Sequence, residues 1–188
     1  MYTAQSIADF LLLLAHPEAE EATTNLKLQK LLYYAQGIHL AVFDEPLFGD
    51  EIHAWSYGPV VESVYQRFKS FGADPIRVDF HVPNDVLNLE IRHFLLNIFQ
   101  YFGAYPAVKL MQFTHAETPW KSATPNAIIA KETLKMFFKT RRFDQLAFPS
   151  PEQRRRNAAR LLRNDYENDP ELTILTALDG ADFDHETW

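Results

Sequence analysis

The sequence predicts a mainly α (α+β) fold: a compact helical domain with a small β-hairpin or short sheet, followed by a C-terminal helix and an extended tail. Apolar residues recur at steps of three and four in several long stretches, which is typical of amphipathic helices. Alternation of period two is confined to short segments. The last quarter of the chain changes character, with 7 Lys/Arg against 2 Asp/Glu in residues 141–163 and none against 8 in residues 164–188.

The first two predicted helices carry recognisable start signals. Residues 3–15 form an amphipathic helix with Thr3 as its N-cap, and residues 23–25 offer a cap for a central helix that ends near Phe43. The apolar positions of the central helix predict one buried stripe: Leu28, Leu31, Leu32, Ala35, Ile38, His39 and Val42.

A hairpin-like segment over residues 44–58 follows, with a short strand over residues 49–55. Pro59 suits the first position of a helix that runs to about Phe71 and is closed by Gly72. Residues 73–84 read as an edge strand, and Asp85 is expected to cap a long helix that ends near Phe102. A short helix over residues 107–114, a loop around Trp120 and a helix over residues 126–140 complete the predicted domain.

The predicted domain covers residues 1–143, and residues 144–151 form a linker that contains two prolines. Residues 152–188 are expected to begin with an arginine-rich helix and to end in an acidic tail studded with apolar residues. Such a tail is too short and too acidic to form a core alone, so we expect it to order on a partner.

Composition narrows the cellular setting. The chain has 188 residues, 47% of them hydrophobic, and no Cys, which excludes disulfides and thiolate metal sites. The apolar run near the N-terminus is too short to span a bilayer and lacks the basic region of a signal peptide. We therefore expect a cytoplasmic protein without a membrane partner.

Motifs for catalysis are absent from the sequence: we find no HExxH helix, GxSxG elbow, P-loop or GxGxxG loop. Two groups could hold a metal, Asp50/Glu51/His53 and His115/Glu117, but each lacks further donors at workable spacing. Surface polar residues explain them better, and a core position explains His39 better. We predict no enzyme activity, no cofactor and no metal.

Two further features remain open at this stage. Five arginines could contact phosphates, but the acidic segment behind them argues against DNA binding: Arg154, Arg155, Arg156, Arg160 and Arg163. Trp55 is expected to pack in the core. Trp120 could pack likewise or could serve as a recognition residue in its loop.

The run from Lys27 to Gly37 (KLQKLLYYAQG) resembles the signature helix of the Panacea domain, the SocA-like or GepA-like antitoxin family of phage and mobile-element proteins. Three further pieces match in order over about residues 3–140. They are Pro46–Phe48 with Glu51–Trp55, Tyr57–Val61, and Leu110 with Thr114–His115 and Pro119–Lys121. The resemblance implies a bacterial, non-enzymatic antitoxin of a type II toxin–antitoxin pair that binds its toxin.

Residues 166–183 resemble the toxin-binding tails of several bacterial antitoxins. An acidic tail with apolar anchors could occupy the cationic groove of a ribonuclease or translation-inhibiting toxin. The expected contacts are Tyr166, Leu172, Leu175, Leu178, Asp179, Asp182 and Phe183, with a secondary surface at Trp120, Tyr34 and Lys30. The alternatives are a proteolytic adaptor for a ClpXP-type or Lon-type protease and a DNA-binding autoregulator that uses Arg154–Arg163.

Overall fold

The structure is a computed structural model that describes residues 1–15, 23–77, 86–141 and 143. These residues form seven α-helices, one 3-10 turn and one two-stranded sheet, which confirms the mainly α class with a small hairpin. In chain order they are α1 (Ala4–Leu14), α2 (Asn25–Phe43), β1 (Ile52–Trp55), β2 (Gly58–Val61), α3 (Glu62–Phe68) with the 3-10 turn Lys69–Phe71, α4 (Leu89–Phe102), α5 (Ala107–Ala116), α6 (Thr118–Lys121) and α7 (Lys131–Lys139).

Helix α2 lies at the centre of the described fold. It contacts α1, α3, α4, α5, α7 and β2, and nearly all of its residues from Asn25 to Leu40 are buried. The predicted stripe is buried except for Val42, but the burial is not confined to one stripe, because neighbouring elements cover the polar faces as well. Val42 lies past the buried part and is only half-buried.

Side-chain caps start three of the helices. The hydroxyl of Thr3 accepts from the backbone N–H of Ser6 at 3.1 Å, and that of Thr24 accepts from Lys27 at 3.2 Å. Both caps were predicted. For α4, Asn88 accepts from Ile91 at 2.9 Å, so the predicted start at residue 85 is wrong. Asp85 itself lies outside the described residues, as do residues 78–84 of the predicted edge strand.

The hairpin is antiparallel, with the Ser56–Tyr57 turn between β1 and β2, and it pairs Ala54 with Pro59. Pro59 therefore lies in a strand, and the prediction that it starts a helix is wrong. The N–H of Ala54 donates to the carbonyl oxygen of Ala127, and the carbonyl oxygen of Ala54 accepts from the N–H of Asn126, each at 2.8 Å. Ala54 therefore needs no hydrogen bond from Pro59, so a residue without an N–H can pair with it.

Residues 126–129 run along the other edge of β1. Besides the bonds to Ala54, the N–H of Ile129 donates to the carbonyl of Ile52 at 2.8 Å. Helix α7 consequently begins at Lys131 and not at residue 126, and the predicted loop around Trp120 contains the short helix α6. The pairing of residues 126–129 with β1, which is far away in sequence, decides where α7 begins.

The chain divides into two units, Met1–Pro149 and Ser150–Trp188. The second unit lies outside the described residues, so the predicted linker, arginine-rich helix and tail remain predictions. Among the described helices, none is both long and apolar enough to cross a membrane.

Candidate functional site

The sequence motifs singled out above meet around Lys30. This residue belongs to α2, is fully buried, and donates from Nζ to the carbonyl oxygen of Pro59 in β2 at 3.0 Å. A Cβ on Gly58, whose φ is +99°, would lie 2.8 Å from Cε of Lys30 and 2.9 Å from Oγ1 of Thr114 in α5. Only glycine fits this position, since it supplies both the positive φ and the missing side chain.

Burial lowers the pKa of Lys30 from 10.5 to about 7. Within the described residues the ammonium group has no ion pair with a carboxylate, and its partner is a neutral carbonyl. Burial of the charged form of a lysine costs free energy because the ammonium group loses its hydration, and this cost is what lowers the pKa. The hydrogen bond of Lys30 to Pro59 ties the hairpin to the central helix at the turn.

Two glutamines of α2 also use their side chains to bind neighbouring backbone, one in β2 and one in the segment before β1. Oε1 of Gln29 accepts from the N–H of Val61 at 2.8 Å. The side chain of Gln36 accepts from Leu47 at 2.9 Å and from Phe48 at 3.1 Å, and it donates to the carbonyl of Phe48 at 2.9 Å. Sequence reasoning missed both residues. Their spacing of seven, two turns apart on one helix face, was the available signal.

A second buried polar group joins α2 to the segment between α5 and α6. The carboxylate of Glu117 accepts from the hydroxyl of Tyr33 at 2.8 Å and from that of Tyr34 at 3.1 Å. Burial raises the pKa of Glu117. Burial and the neighbouring carboxylate raise the pKa of both tyrosines, which stay neutral donors at physiological pH.

The two tryptophans discussed above, Trp55 in β1 and Trp120 in α6, connect these two elements. Nε1 of Trp120 donates to the carbonyl oxygen of Trp55 at 3.0 Å. The ring of His115 stacks on Trp120 with centroids 4.0 Å apart, and Trp55 packs edge-on against Tyr65 at 5.0 Å. These contacts favour a packing role for both tryptophans, although each is only half-buried.

The predicted metal candidates are not brought together. Asp50 accepts from the N–H of Ala4 at 3.0 Å and from the hydroxyl of Ser63 at 2.8 Å. Glu51 pairs with Lys131 at 3.0 Å. In the described part of the chain, no three His, Asp or Glu side chains converge on one point. The arrangement shows that Asp50 and Glu51 serve as partners within the fold.

An open apolar groove of about 560 Å³ adjoins the hairpin turn. We call it the hairpin groove. Two of its lining residues expose much of their apolar side chains, Tyr57 at 71% and Val108 at 55%. The groove is lined mainly by Leu26, Trp55, Tyr57, Val60, Tyr65 and Val108, with Lys69 at its rim.

The predicted secondary surface needs a correction. Lys30 and Tyr34 are 0% and 1% exposed, because α2 is covered on all sides, so neither can lie on a surface in this conformation. Trp120 is half-buried. His39 is buried, with Nδ1 2.7 Å from the carbonyl oxygen of Glu45, as a core histidine should be. The seven predicted toxin contacts in the tail lie outside the described residues.

Comparison with known proteins relates part of the chain to one family. The model of the family described as "Antitoxin SocA-like, Panacea domain" matches residues 28–121, half of the chain and less than the span of 3–140 expected from the motifs. The protein Antitoxin SocA of Caulobacter vibrioides (strain NA1000 / CB15N) is 30% identical over 109 residues. This alignment covers 52% of the present chain and 57% of that relative's length.

No solved structure matches the chain significantly. The family match nevertheless includes Lys30 and its contacts Gly58 and Pro59, together with most of α2, the hairpin, α5 and α6. The chain belongs to the SocA-like antitoxin family and contains its Panacea domain.

Proposed function

We propose that this protein is an antitoxin of a type II toxin–antitoxin pair, which neutralises a cognate protein toxin by binding it directly and without catalysis. The observation that carries the proposal is the family match over the elements that surround Lys30. The bonds of the carboxylates also support binding without catalysis, because Asp50, Glu51 and Glu117 all pair with groups of the fold itself.

Two regions are proposed to contact the toxin. The first is the acidic tail, whose apolar residues would be buried against the toxin while Asp179 and Asp182 pair with basic residues of its groove. The second is the hairpin groove, where exposed Tyr57 and Val108 offer an apolar anchor site. Aromatic residues in such positions commonly dominate the energy of protein interfaces.

The test is co-expression with the protein encoded by the adjoining reading frame. The full chain should restore growth and should co-purify with that protein, whereas a variant lacking residues 164–188 should stay folded and lose protection. Full protection by the truncated variant would remove the tail from the proposal. Failure of the full chain to bind the neighbouring protein or to protect against it would refute direct neutralisation by this pair.

The hairpin groove is tested separately with Tyr57→Asp and Val108→Asp. A matched control is Leu89→Asp, whose exposure of 59% lies between those of Val108 and Tyr57 but which is in the first turn of α4 and does not line the groove. Only the groove variants should weaken protection. Measuring the toxin's half-life in the same cells distinguishes direct neutralisation from a protease-adaptor role, in which protection requires faster degradation of the toxin.

A further inference from the structure

A pocket of about 310 Å³ lies beside the tyrosine–glutamate contact, and we call it the aromatic pocket. The ring of Tyr34 stacks on Phe102 with centroids 3.9 Å apart, and Tyr105 packs edge-on against Phe113 at 5.3 Å. The lining consists of Tyr34, Tyr101, Phe102, Tyr105, Phe113, Ala116, Glu117, Arg141 and Phe143. Six of these nine residues are aromatic.

Among the described residues that line the pocket, Glu117 carries the one carboxylate. Each of its oxygens accepts one tyrosine hydroxyl, at 2.8 and 3.1 Å, so each keeps a further lone pair for another donor. Within the described residues Glu117 makes no ion pair. A partly buried anion beside several aromatic rings attracts an organic cation, since ring faces carry negative potential.

The other charged residue in the described part of the lining is Arg141, and it makes no ion pair with Glu117 among the described contacts. Its guanidinium lies 4.8 Å from the ring centroid of Phe137. Its positive charge acts on Glu117 from a distance and lowers the pKa of that carboxyl slightly against the larger effect of burial. A cation that entered the pocket would compete with this charge.

We propose that the aromatic pocket receives an arginine side chain from the partner protein. This inference rests on the proposed function for the identity of the partner, but not for the chemistry of the pocket. A guanidinium is planar, so it stacks on aromatic rings, and its several N–H donors match the free lone pairs of Glu117. A ribonuclease or translation inhibitor that must hold RNA phosphates is rich in such side chains.

The test uses the full chain without any toxin. N-acetyl-arginine methylamide is titrated by NMR against its neutral isostere N-acetyl-citrulline methylamide, with the tyrosine and phenylalanine ring signals of the pocket as the readout. The arginine probe should bind about tenfold more tightly than the citrulline probe. Equal affinities for the two probes would overturn the proposal.

Two variants that are expected to change the affinity for the arginine probe in opposite directions test the role of charge in the pocket. Glu117→Gln should weaken binding of the arginine probe by about tenfold, whereas Arg141→Gln should strengthen it by about threefold because the competing charge is gone. Binding that neither variant changes would indicate a site for an apolar group. Binding that Glu117→Gln strengthens and Arg141→Gln weakens would indicate a site for an anion. Either result refutes the arginine site. If Glu117→Gln fails to fold, Tyr105→Leu decides, and unchanged binding there refutes it.

A final comparison separates this inference from the proposed function. The wild type is co-expressed with the neighbouring gene product, and its protection is compared with its binding of the arginine probe. If the wild type binds the probe but gives no protection, the proposed antitoxin function is refuted and the arginine site is retained. Protection by the wild type without probe binding would remove the arginine site and leave the antitoxin function standing.

Discussion

The buried ammonium group of Lys30 and the carbonyl oxygen of Pro59 lie 3.0 Å apart, and their hydrogen bond joins the central helix to the hairpin turn. Gly58, the first residue of β2, packs directly on the lysine side chain. The position of β2 thus depends on a lysine side chain that the fold keeps away from water.

Lys30 should make the stability of the protein depend on pH. Its pKa is about 7 in the folded chain against 10.5 ordinarily, so between these values the unfolded state binds more protons. We expect the free energy of unfolding to rise from pH 7 to about pH 9.5, by up to about 1.4 kcal/mol per pH unit. Above that range the raised pKa values of Tyr33 and Tyr34 act in the opposite direction.

Urea denaturation over a series of pH values measures this effect. Lys30→Met is the matched variant, because it fills similar space and takes up no proton. Its free energy of unfolding should stay nearly constant over the same range. An equal rise in Lys30→Met would mean that another group causes the pH dependence.

Two glycines with positive φ should respond differently to alanine. Gly58 has φ +99° and contacts Lys30 and Thr114, whereas Gly72 has φ +57° and nothing within 4 Å of an added Cβ. We expect Gly72→Ala to cost about 1 kcal/mol from backbone strain, and Gly58→Ala about 3 kcal/mol because the lysine must also move. Equal losses in thermal or chemical denaturation would contradict the packing argument.

The contact between α2 and α7 should depend on the glycine in the middle of the central helix. A Cβ on Gly37 would overlap the ring of Phe138, and Phe138 is buried. We expect Gly37→Ala to lower the free energy of unfolding by about 2 kcal/mol, although alanine favours helix more than glycine does. Chemical denaturation measures the loss.

Gly49→Ala is the control, because among the described residues its added Cβ would meet only the side chain of Met1, which is 87% exposed and free to move. It should change the stability little. The double variant Gly37→Ala/Phe138→Leu should lose less than the sum of its single changes, as expected of residues in contact. Strict additivity would show that the two residues do not clash.

Local signals were enough to predict where several helices begin. Thr3 and Thr24 cap their helices as expected, because a capping bond joins residues only three apart in sequence. The start at Asp85 was wrong because Asn88, three residues later, provides the cap. The assignment of Pro59 to a helix failed for another reason: strand pairing with Ala54, which no local pattern around the proline reveals, decided it.

The candidate site was only partly predictable. The motif pieces around Lys30 were found in the sequence, but their burial was not, and the secondary surface was misplaced on Lys30 and Tyr34. The bonds of Glu117 to Tyr33 and Tyr34 span more than eighty residues of sequence. Periodicity cannot reveal such pairs, since it reports which face of one element is apolar and not which elements cover it.

The sequence by itself determined the mainly helical class, the caps of the first two helices and the resemblance to the Panacea domain. These depend on residue types at short spacing, where backbone geometry brings the groups together. Only the tertiary structure decided that α2 is buried on all sides, that Lys30 reaches Pro59, and that Glu117 faces an aromatic pocket. Those features arise when distant segments exclude water from polar groups, and that exclusion sets the hydrogen bonds and the pKa values.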